Sequence, residues 1–425
     1  MADGKRLVVL LEGEVAGTLD MNRAGRLRFS YEEDRPAGAT PLSLSMPVAV
    51  RDHEHRSVSP FVEGLLPDSD RVLDRWRQEF EIRSRHPFPL LAAVGEDVAG
   101  AVQFVRSERF EAARSEGEVE WLTDRDVGEW LRGLQADPTR WHYGPVGGQF
   151  SLTGAQSKIA LVRDGARWGR PSGSVPTTHI LKPAIPGFPD HDVNEHVCLA
   201  TARALGIPAA SSAIARVHGL RTLVVERYDR VQVAGRGRRV HQEDMCQALG
   251  VPPERKYQAA GGPGVKRIAH LLWEAEGPAE ARRSVLALVD QVAFHWLVGG
   301  TDAHAKNFSL LLAGRAVRLA PLYDVASALV YEDPELRHAT LEMAMAIGGE
   351  RRLTAVDARC WARLAGDVGL PPGEVQARVA GLADRMPGAL DGVCSDAQGG
   401  PTPSDMVGRM HDVLSERAAR VGRVL

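Results

Sequence analysis

One polar stretch set between two apolar segments constrains this sequence more than any other. It reads Gly299-Gly300-Thr301-Asp302-Ala303-His304-Ala305-Lys306-Asn307-Phe308-Ser309. An apolar run with a helical pattern, 285–298, precedes it, and the apolar residues 310–312 follow it. Polar groups held between buried segments carry a large desolvation cost unless they bind something. This stretch is therefore the first candidate for a functional site.

Its internal spacing indicates a chemistry. Asp302 and Asn307 are separated as the Asp and Asn of the kinase catalytic loop H-R-D-x-x-x-x-N are. In that loop the Asp accepts the proton of the substrate hydroxyl and the Asn holds a magnesium ion. Asp324 follows a predicted strand turn at 314–319, in the downstream relation that kinases give their other metal-binding Asp. We therefore predict that Asp302, Asn307 and Asp324 form one metal–phosphate site.

Composition excludes several other classes of protein. The formal net charge of -3 gives no general attraction to nucleic acid or to anionic membranes. The four cysteines contain no C-x-x-C pair, which favours reduced thiols over a disulfide framework or a zinc ribbon. Neither a signal peptide nor a membrane-spanning run is apparent, so we expect a cytoplasmic protein with no membrane contact.

The first third of the chain has no catalytic spacing. Apolar runs and alternation predict two or three short strands over 7–29, and 41–50 resembles an extended edge segment. A turn over 60–68 leads into a helix with Asp68 or Ser69 as its N-cap, and a second helix is predicted over 90–100. We interpret this third as a packing or partner-docking module, and 106–140 as a charged, helical connector.

A loop rich in small residues, 147–158, precedes the apolar strand 159–162. Small side chains let backbone N–H groups approach phosphate oxygens, and Lys158 would add charge. The loop is neither a Walker A motif nor G-x-G-x-x-G, so an ordinary glycine hairpin is the alternative.

The next strand, 177–183, ends on Lys182, where a kinase needs a cation to fix the ATP phosphates. A helix starting near Asp192 carries Glu195, which either pairs with Lys182 or is a surface charge. The strand 223–229 leads out of this lobe, and by position alone Glu226 to Tyr228 is the hinge. His241 is then predicted to open a helix with acidic residues in its first turn.

The remaining sequence predicts a helical second lobe. The expected helices are 264–274, 278–298, 356–366, 372–384 and 405–421. The basic segment 230–239 is predicted to be a hairpin tip that is either solvated or in contact with phosphates.

Four motifs in this order resemble the HipA family of serine/threonine kinase toxins. They are Ser151-Leu152-Thr153-Gly154-Ala155-Gln156-Ser157-Lys158, Glu243-Asp244-Met245, Thr301-Asp302-Ala303-His304-Ala305-Lys306-Asn307 and Pro321-Leu322-Tyr323-Asp324-Val325. Phe61-Val62-Glu63-Gly64-Leu65-Leu66-Pro67 resembles the N-terminal module of that family. The resemblance implies an α+β, protein-kinase-like two-lobed fold with a β-rich N-lobe, an extra N-terminal β-rich module and an α-helical C-lobe. The corresponding domains are 1–106, 107–228 and 229–425.

The resemblance also implies cofactors and partners. ATP and Mg²⁺ are the expected cofactors. The expected partner is a small DNA-binding antitoxin of the HipB type that represses the shared operon, so that any DNA contact is weak or indirect. Family members phosphorylate the translation machinery, notably aminoacyl-tRNA synthetases, and stop growth, which is associated with persistence.

Individual roles carry over by position. The resemblance makes Asp302 the catalytic base, with Lys306 and Asn307 in the same catalytic group, and makes Asn307 and Asp324 the magnesium ligands. The residues assigned to ATP are Lys182, Gly154, Ala155, Gln156, Lys158, Glu226, Tyr228 and His304. His304 is also interpreted as a structural brace of the loop. Ser151 stands at the family's autophosphorylation position, and its phosphorylation would eject the loop and abolish ATP binding. Gly300 departs from the family, in which Asn often precedes Thr-Asp.

Two other hypotheses remain. A metal-dependent hydrolase would use His295, Asp302, His304 and Asp324 as ligands. The i, i+2 spacing of Asp302 and His304 matches no strong ligand pattern, and this hypothesis leaves Lys182 without a role. The other is a catalytically silent pseudokinase that only binds a partner or an operator. The presence of the base and of both magnesium ligands argues against it.

Overall fold

The computed structural model of this 425-residue chain describes residues 5–115, 117–142, 150–185, 187–233, 236–331, 340–398 and 404–422. Within them an N-terminal β-rich module and a six-stranded sheet are followed by a mainly helical lobe. In the described ranges, no helix is both long and apolar enough to cross a membrane.

The N-terminal module is a five-stranded antiparallel sheet covered by helices. Across the sheet the strands are Asp52–Glu54, Leu27–Tyr31, Glu14–Met21, Lys5–Leu11 and Val102–Val105. The covering helices are His55–Gly64, Asp70–Glu79 and Pro87–Val94. Three of these strands lie where apolar alternation predicted strands, so that prediction is confirmed. Ser69 is the N-cap of Asp70–Glu79, and its side chain accepts from the Val72 backbone N–H.

Two local predictions in this module are wrong. The segment predicted as a turn over 60–68 begins inside helix His55–Gly64, which contains Pro60. Proline removes one helical hydrogen bond, and the burial of Val58, Phe61 and Val62 on the same helix offsets that loss. The expected edge segment over 41–50 is not a strand; within it Ser43 and Met46 form an isolated bridge.

The second sheet forms the part of the chain that we call the N-lobe. Its strands, in order, are Ser212–Val217, Leu220–Glu226, His179–Pro183, Ile159–Asp164, Arg167–Pro171 and Val119–Leu122. Neighbouring strands are antiparallel. The interpretation of 106–140 as a connector is therefore incomplete, because Val119–Leu122 is an edge strand. Helices Asp124–Ala136 and His191–Ala204 pack on this lobe.

Helices dominate the second lobe. They are Met245–Ala248, Val265–Ala275, Pro278–Val298, Ala358–Val368, Pro372–Gln398 and Asp405–Gly422. Small β elements accompany them: hairpin Arg230–Val233/Arg236–Arg239, strands His241–Asp244, Ser309–Ala313 and Ala316–Leu319, and hairpin Glu342–Ile347/Glu350–Arg352. The prediction that His241 opens a helix is wrong. His241–Asp244 is a strand that pairs with strand Ser309–Ala313, and Asp244 is the N-cap of the short helix Met245–Ala248.

Two apolar cores explain why the parts stay together. One core joins the N-terminal module to the N-lobe sheet through Phe29, Trp76, Phe150 and Leu161. The other fills the helical lobe and includes Val197 of helix His191–Ala204. That helix therefore ties the two lobes together.

Candidate active site

Residues 299–308, which we call the catalytic loop after the role predicted for them, connect helix Pro278–Val298 to strand Ser309–Ala313. The helix ends at Gly299, whose φ of 65° is a left-handed conformation that favours glycine. The Asn307 side chain closes the loop by donating from Nδ2 to the backbone oxygen of Asp302 at 2.8 Å. The Asp-to-Asn spacing thus lets Asn307 brace the backbone that carries Asp302.

The Asp302 side chain projects into solvent, although the residues that follow it in the loop are buried. Its side chain is 70% exposed, whereas residues 303–307 are all buried. Its Oδ1 atom accepts a hydrogen bond from the Tyr257 hydroxyl at 2.7 Å. The spacing of the sequence did not point to Tyr257, which lies 45 residues before Asp302. A carboxylate placed in this way is accessible to an incoming hydroxyl group.

A lysine and two carboxylates form the second part of the site. Lys182, at the end of strand His179–Pro183, places Nζ 2.7 Å from Glu195 Oε1 and 2.9 Å from Asp324 Oδ1. Lys182 and Glu195 are buried, while the Asp324 side chain is 40% exposed. Of the two interpretations of Glu195, the structure therefore has the pair with Lys182 and not the surface charge.

The charges of this cluster stabilise one another. The Lys182 ammonium, with Lys158 nearby, holds the pKa of the Asp324 carboxyl well below its usual range despite burial. Burial alone would lower the pKa of Lys182, but the Asp324 and Glu195 carboxylates raise it above the ordinary value. Glu195 Oε2 is buried without a hydrogen-bond partner. The cluster thus combines a charged Lys182–Asp324 pair with an acceptor atom of Glu195 that has no hydrogen-bond partner.

Backbone contacts from the N-lobe fix the position of Asp324. The residue adopts φ 54°, a left-handed conformation that is uncommon outside glycine. Leu322, two positions earlier, donates its N–H to Pro208 O and accepts from Ala210 N–H, both at 2.8 Å. A strained residue anchored in this way is typical of functional sites.

The loop before strand Ile159–Asp164 lies close to this cluster. Lys158 is buried, and its Nζ donates to Thr153 O at 2.7 Å. Burial and the charge of Lys182 lower the Lys158 pKa to about 8. Gly154 has φ 102°, and a Cβ there would lie 3.0 Å from Lys158 Nζ. In the same loop Ala155 is exposed and Gln156 half-buried, whereas Gly147 and Gly148 lie outside the described residues.

Ser151 is held away from solvent by the N-terminal module. Its side chain is buried, and its hydroxyl donates to Leu65 O at 2.7 Å. Its backbone N–H donates to Asp97 O at 2.9 Å. In this arrangement the hydroxyl faces the module and would have to leave it before receiving a phosphate.

Asp68 extends the N-terminal module into the site. Its carboxylate forms salt bridges with Lys306 and, at 2.7 Å, with Lys256. Its backbone N–H donates to Gly154 O at 3.3 Å. Burial would raise the Asp68 pKa, but the charges of both lysines lower it below the usual range. Sequence reasoning considered Asp68 only as a helix cap and missed these contacts.

The histidines do not converge on a metal-ligand geometry. His304 is buried, with Nε2 3.8 Å from Asp302 Oδ2 and its ring 5.0 Å from that of Tyr257. His295 is buried and packs against the Phe308 ring. No group of three or more His, Cys, Asp or Glu within the described ranges could hold a metal ion.

The predicted hinge connects the lobes through tightly bonded backbone. Glu226 is exposed, and its backbone N–H donates to Ser211 O at 2.8 Å. The Tyr228 hydroxyl donates to Gln242, and its ring packs against Tyr323 at 5.6 Å. These residues link the last strand of the N-lobe to the second lobe.

Known families match most of the chain. The model described as HipA N-terminal domain matches residues 7–105, and the one described as HipA-like C-terminal domain matches residues 150–390. A Sinorhizobium fredii protein named "Putative kinase Y4mE" is 36% identical over 98% of both chains. The Shewanella oneidensis serine/threonine-protein kinase toxin HipA is 28% identical over 85% of this chain and 82% of its own length.

A solved structure matches the whole arrangement. It is that of HipA in the Shewanella oneidensis complex of HipA, HipB and operator DNA, with a TM-score of 0.83 and 26% identity. The match covers 97% of each chain. It confirms the predicted two-lobed α+β fold with an additional N-terminal module.

Proposed function

This chain belongs to the HipA family of serine/threonine-protein kinases, and from that premise we propose that it transfers the γ-phosphate of ATP to a serine of a translation-related protein. The chief support is the Lys182–Glu195–Asp324 cluster together with the exposed Asp302 carboxylate. One cation and two carboxylates suit a metal-bound triphosphate, and an accessible base suits an acceptor hydroxyl.

The residues present fit ATP and a divalent metal. Glu195 leaves an unpartnered buried oxygen, and Asp324 leaves a partly exposed, charged carboxylate, both beside the Lys182 ammonium. In our proposal Asp324 and Asn307 hold Mg²⁺, and Lys182 contacts the phosphates. When bound, magnesium neutralises charge that develops on the transferring phosphoryl group.

The same proposal assigns the remaining site residues. Gly154, Ala155, Gln156 and Lys158 cover the phosphates, and the segment Glu226 to Tyr228 lies against the adenine. Asp302 accepts the proton of the acceptor hydroxyl, and Lys306 and His304 keep the catalytic loop in place. Burial of residues 303–307 supports the bracing role, since a packed loop keeps Asp302 in position.

We extend the proposal to regulation at Ser151. Phosphorylation there would add roughly -1.5 to -2 charges to a buried hydroxyl that lies against Leu65 O and beside the Asp97 backbone. Because an ionised phosphate has acceptor oxygens only, it could not replace the bond that the hydroxyl donates to Leu65 O, so the modified loop would leave the site, and ATP binding would fail. A HipB-like antitoxin is the proposed partner, on the analogy of the HipA, HipB and operator DNA complex. An aminoacyl-tRNA synthetase is the proposed type of substrate.

Asp302→Asn tests the central assignment. Phosphoproteomics after induction should show the substrate modified by the wild type and not by the variant. With purified protein and magnesium-ATP, the phosphotransfer rate should fall by about 10²–10⁴-fold, while ATP affinity from calorimetry stays close to that of the wild type.

The matched control is Asp396→Asn, which makes the same change at an exposed position of helix Pro372–Gln398. It should leave both quantities unchanged. An Asp302→Asn variant with near-normal phosphotransfer would remove Asp302 from the mechanism. Unchanged ATP affinity in Asp324→Ala would remove Asp324 as a metal ligand.

A further inference from the structure

Tyr257 occupies the position that a substrate hydroxyl needs. Its phenol donates to Asp302 Oδ1 at 2.7 Å. A general base must be within about 2.6–3.2 Å of the oxygen whose proton it takes. The Asp302 carboxylate is largely solvent-exposed, so this contact covers an otherwise open base.

Two contacts flank Tyr257, one to the backbone of Lys256 and one to the side chain of Gln258. Lys256 O accepts from the catalytic-loop Ala305 N–H at 3.2 Å, and Gln258 Oε1 accepts from Ala346 N–H at 2.7 Å. A Cβ on Gly262 would lie 1.9 Å from Arg255 O, so the segment is closely packed against itself. The backbone of this segment is therefore held in place while the side chain ends at the surface.

The Tyr257 side chain can leave Asp302 without unfolding anything. The residue is 38% exposed, and its ring touches His304 edge-on, with 85° between the ring planes. A rotation about the side-chain torsions would move the hydroxyl into solvent and leave the backbone hydrogen bonds intact. The contact is thus suited to reversible displacement.

The phenol is a hydrogen-bond donor here and not a nucleophile. Burial, followed by the hydrogen bond to Asp302 and the charge of that carboxylate, raises the Tyr257 pKa above its ordinary value. The hydroxyl therefore keeps its proton at neutral pH and offers it to Asp302.

We propose that Tyr257 is a placeholder for the acceptor: its hydroxyl occupies the substrate position at Asp302 Oδ1, keeps water from that oxygen, and is displaced by the incoming serine. This inference rests on the proposed function in that it needs Asp302 to be the base. It makes Tyr257 a positioning residue that acts through Asp302 and favours transfer to protein over transfer to water.

The proposal predicts a reaction with water when the phenol is absent. Water would occupy the vacant position and give a proton to Asp302 as its oxygen forms a bond to the γ-phosphorus. The bond between that phosphorus and the bridging oxygen breaks, and its electron pair leaves with ADP. The products are ADP and inorganic phosphate, so no protein substrate is needed to detect the effect.

Tyr257→Phe removes only the hydroxyl and is the decisive variant. With magnesium-ATP and no acceptor protein, its release of inorganic phosphate should be several-fold faster than that of the wild type. Nucleotide affinity from calorimetry should be unchanged. The gain should vanish in the double variant Tyr257→Phe/Asp302→Asn, because it depends on the base. Tyr331→Phe is the matched control: it removes a tyrosine hydroxyl that accepts from Asn194 at 3.4 Å, and should hydrolyse ATP as the wild type does.

Three results would overturn the placeholder role. The first is hydrolysis by Tyr257→Phe at or below the wild-type rate, and the second is a gain that persists in the double variant. The third is a phosphate on Tyr257 of the wild type, found by mass spectrometry, since the phenol would then be an acceptor itself. Asp302→Asn alone distinguishes failure of the proposed function: if that variant still phosphorylates protein, the kinase assignment of Asp302 fails regardless of the result at Tyr257.

Discussion

The N-terminal module reaches the kinase through two aspartates whose surroundings differ. Asp97 lies among guanidinium groups, with Oδ1 accepting from Arg230 at 3.0 Å and from Arg239 at 3.3 Å. Asp68 lies between two ammonium groups, those of Lys306 and Lys256. Both carboxyl groups have a lowered pKa, because in each case the neighbouring cations outweigh burial. The direction of the pKa shift therefore does not distinguish the two contacts.

Geometry and neighbours do distinguish them. The Asp97 network continues through Arg227 and Asp229, which are buried and joined by hydrogen bonds of 3.0 and 2.8 Å. Arginine forks hold fixed, directional geometry, whereas a lysine ammonium is a point charge on a flexible stem. Asp68 contacts the catalytic loop at Lys306 and, at Gly154, the loop that we propose covers the ATP phosphates. We infer that Asp97 holds the N-terminal module on the kinase without influencing activity, and we call this contact the static joint. Asp68, in contrast, influences the position of active-site residues.

The largest effect is expected at the static joint. Asp97→Asn would leave two buried guanidinium groups, those of Arg227 and Arg230, sharing the single carboxylate of Asp229. Removing one partner of a buried ion pair typically costs about 3–5 kcal/mol. The free energy of unfolding, measured in urea, should fall by that amount, while the phosphotransfer rate per folded molecule stays normal.

Asp20→Asn provides the control for Asp97→Asn. It disrupts an exposed pair with Arg6 and should cost no more than about 1 kcal/mol. If Asp97→Asn cost as little as this control, or lowered the phosphotransfer rate of folded protein, the joint would not be static.

The second prediction concerns Asp68. Asp68→Asn removes the charge that holds the buried Lys306 ammonium, so the catalytic loop should lose its fixed position. We expect the phosphotransfer rate to fall about tenfold, which corresponds to about 1.4 kcal/mol in the barrier. The free energy of unfolding should fall by less than it does in Asp97→Asn.

Asp70→Asn is the matched control for Asp68→Asn. Asp70, two positions after Asp68, is the first residue of helix Asp70–Glu79, is exposed and pairs with Arg85 at 3.2 Å. It should leave the phosphotransfer rate unchanged. A normal rate in Asp68→Asn would mean that both aspartates only join the module to the kinase.

A third contact between module and kinase should respond to pH. Glu243 is buried, accepting from Ser43 Oγ at 2.5 Å and from Leu44 N–H at 2.9 Å. Burial raises its pKa from 4.5 to about 8. The stability that the protonated carboxyl contributes is therefore fully present below pH 4.5 and is lost as pH rises toward 8.

Glu243→Gln should flatten this dependence. Glutamine can still accept from the Leu44 N–H through Oε1, can donate from Nε2 to Ser43 Oγ, and does not ionise. Between pH 6 and 7 the wild type should lose about 1.4 kcal/mol of unfolding free energy that the variant retains. Glu274→Gln, at an exposed site, should keep the wild-type slope. Equal slopes for wild type and Glu243→Gln would show that Glu243 is ionised in the folded protein, like Asp68 and Asp97.

Local sequence patterns were enough to predict how two parts of the site are arranged, the Asp302–Asn307 loop and the Lys182–Glu195 pair. The spacing of Asp302 and Asn307 is encoded within one loop, and the lysine at the end of strand His179–Pro183 follows from an apolar run. The pairing of Lys182 with Glu195 needed only the kinase order of elements. These features depend on neighbours that are close in the chain.

The rest of the site depends on contacts between residues that are far apart in the chain, and motif spacing does not predict such contacts. Asp68 and Lys306 are 238 residues apart, so a motif in one segment carries no information about its partner. Pairing of His241–Asp244 with the strand after the catalytic loop overrode a local helix signal. Tyr257 lies in a segment with short 3₁₀ turns and has no periodic pattern to identify it. Tertiary packing alone brings these residues to the site.

The smallest change in stability is expected for a substitution at Ser151, whose backbone and side chain contact different parts of the N-terminal module. Its backbone is bonded to Asp97 O, and only its hydroxyl bonds to Leu65 O in the segment that leads to Asp68. Ser151→Ala removes that hydroxyl and should cost about 0.5–1.5 kcal/mol of unfolding free energy. ATP affinity should be preserved, and no phosphate should accumulate on this loop. Ser115→Ala, which breaks an exposed hydroxyl-to-carbonyl bond of 2.8 Å, should cost less. A loss of ATP affinity in Ser151→Ala would mean that the hydroxyl itself positions the loop proposed to cover the ATP phosphates. The position of that loop would then depend more on the contact with Leu65 than on the contact with Asp68.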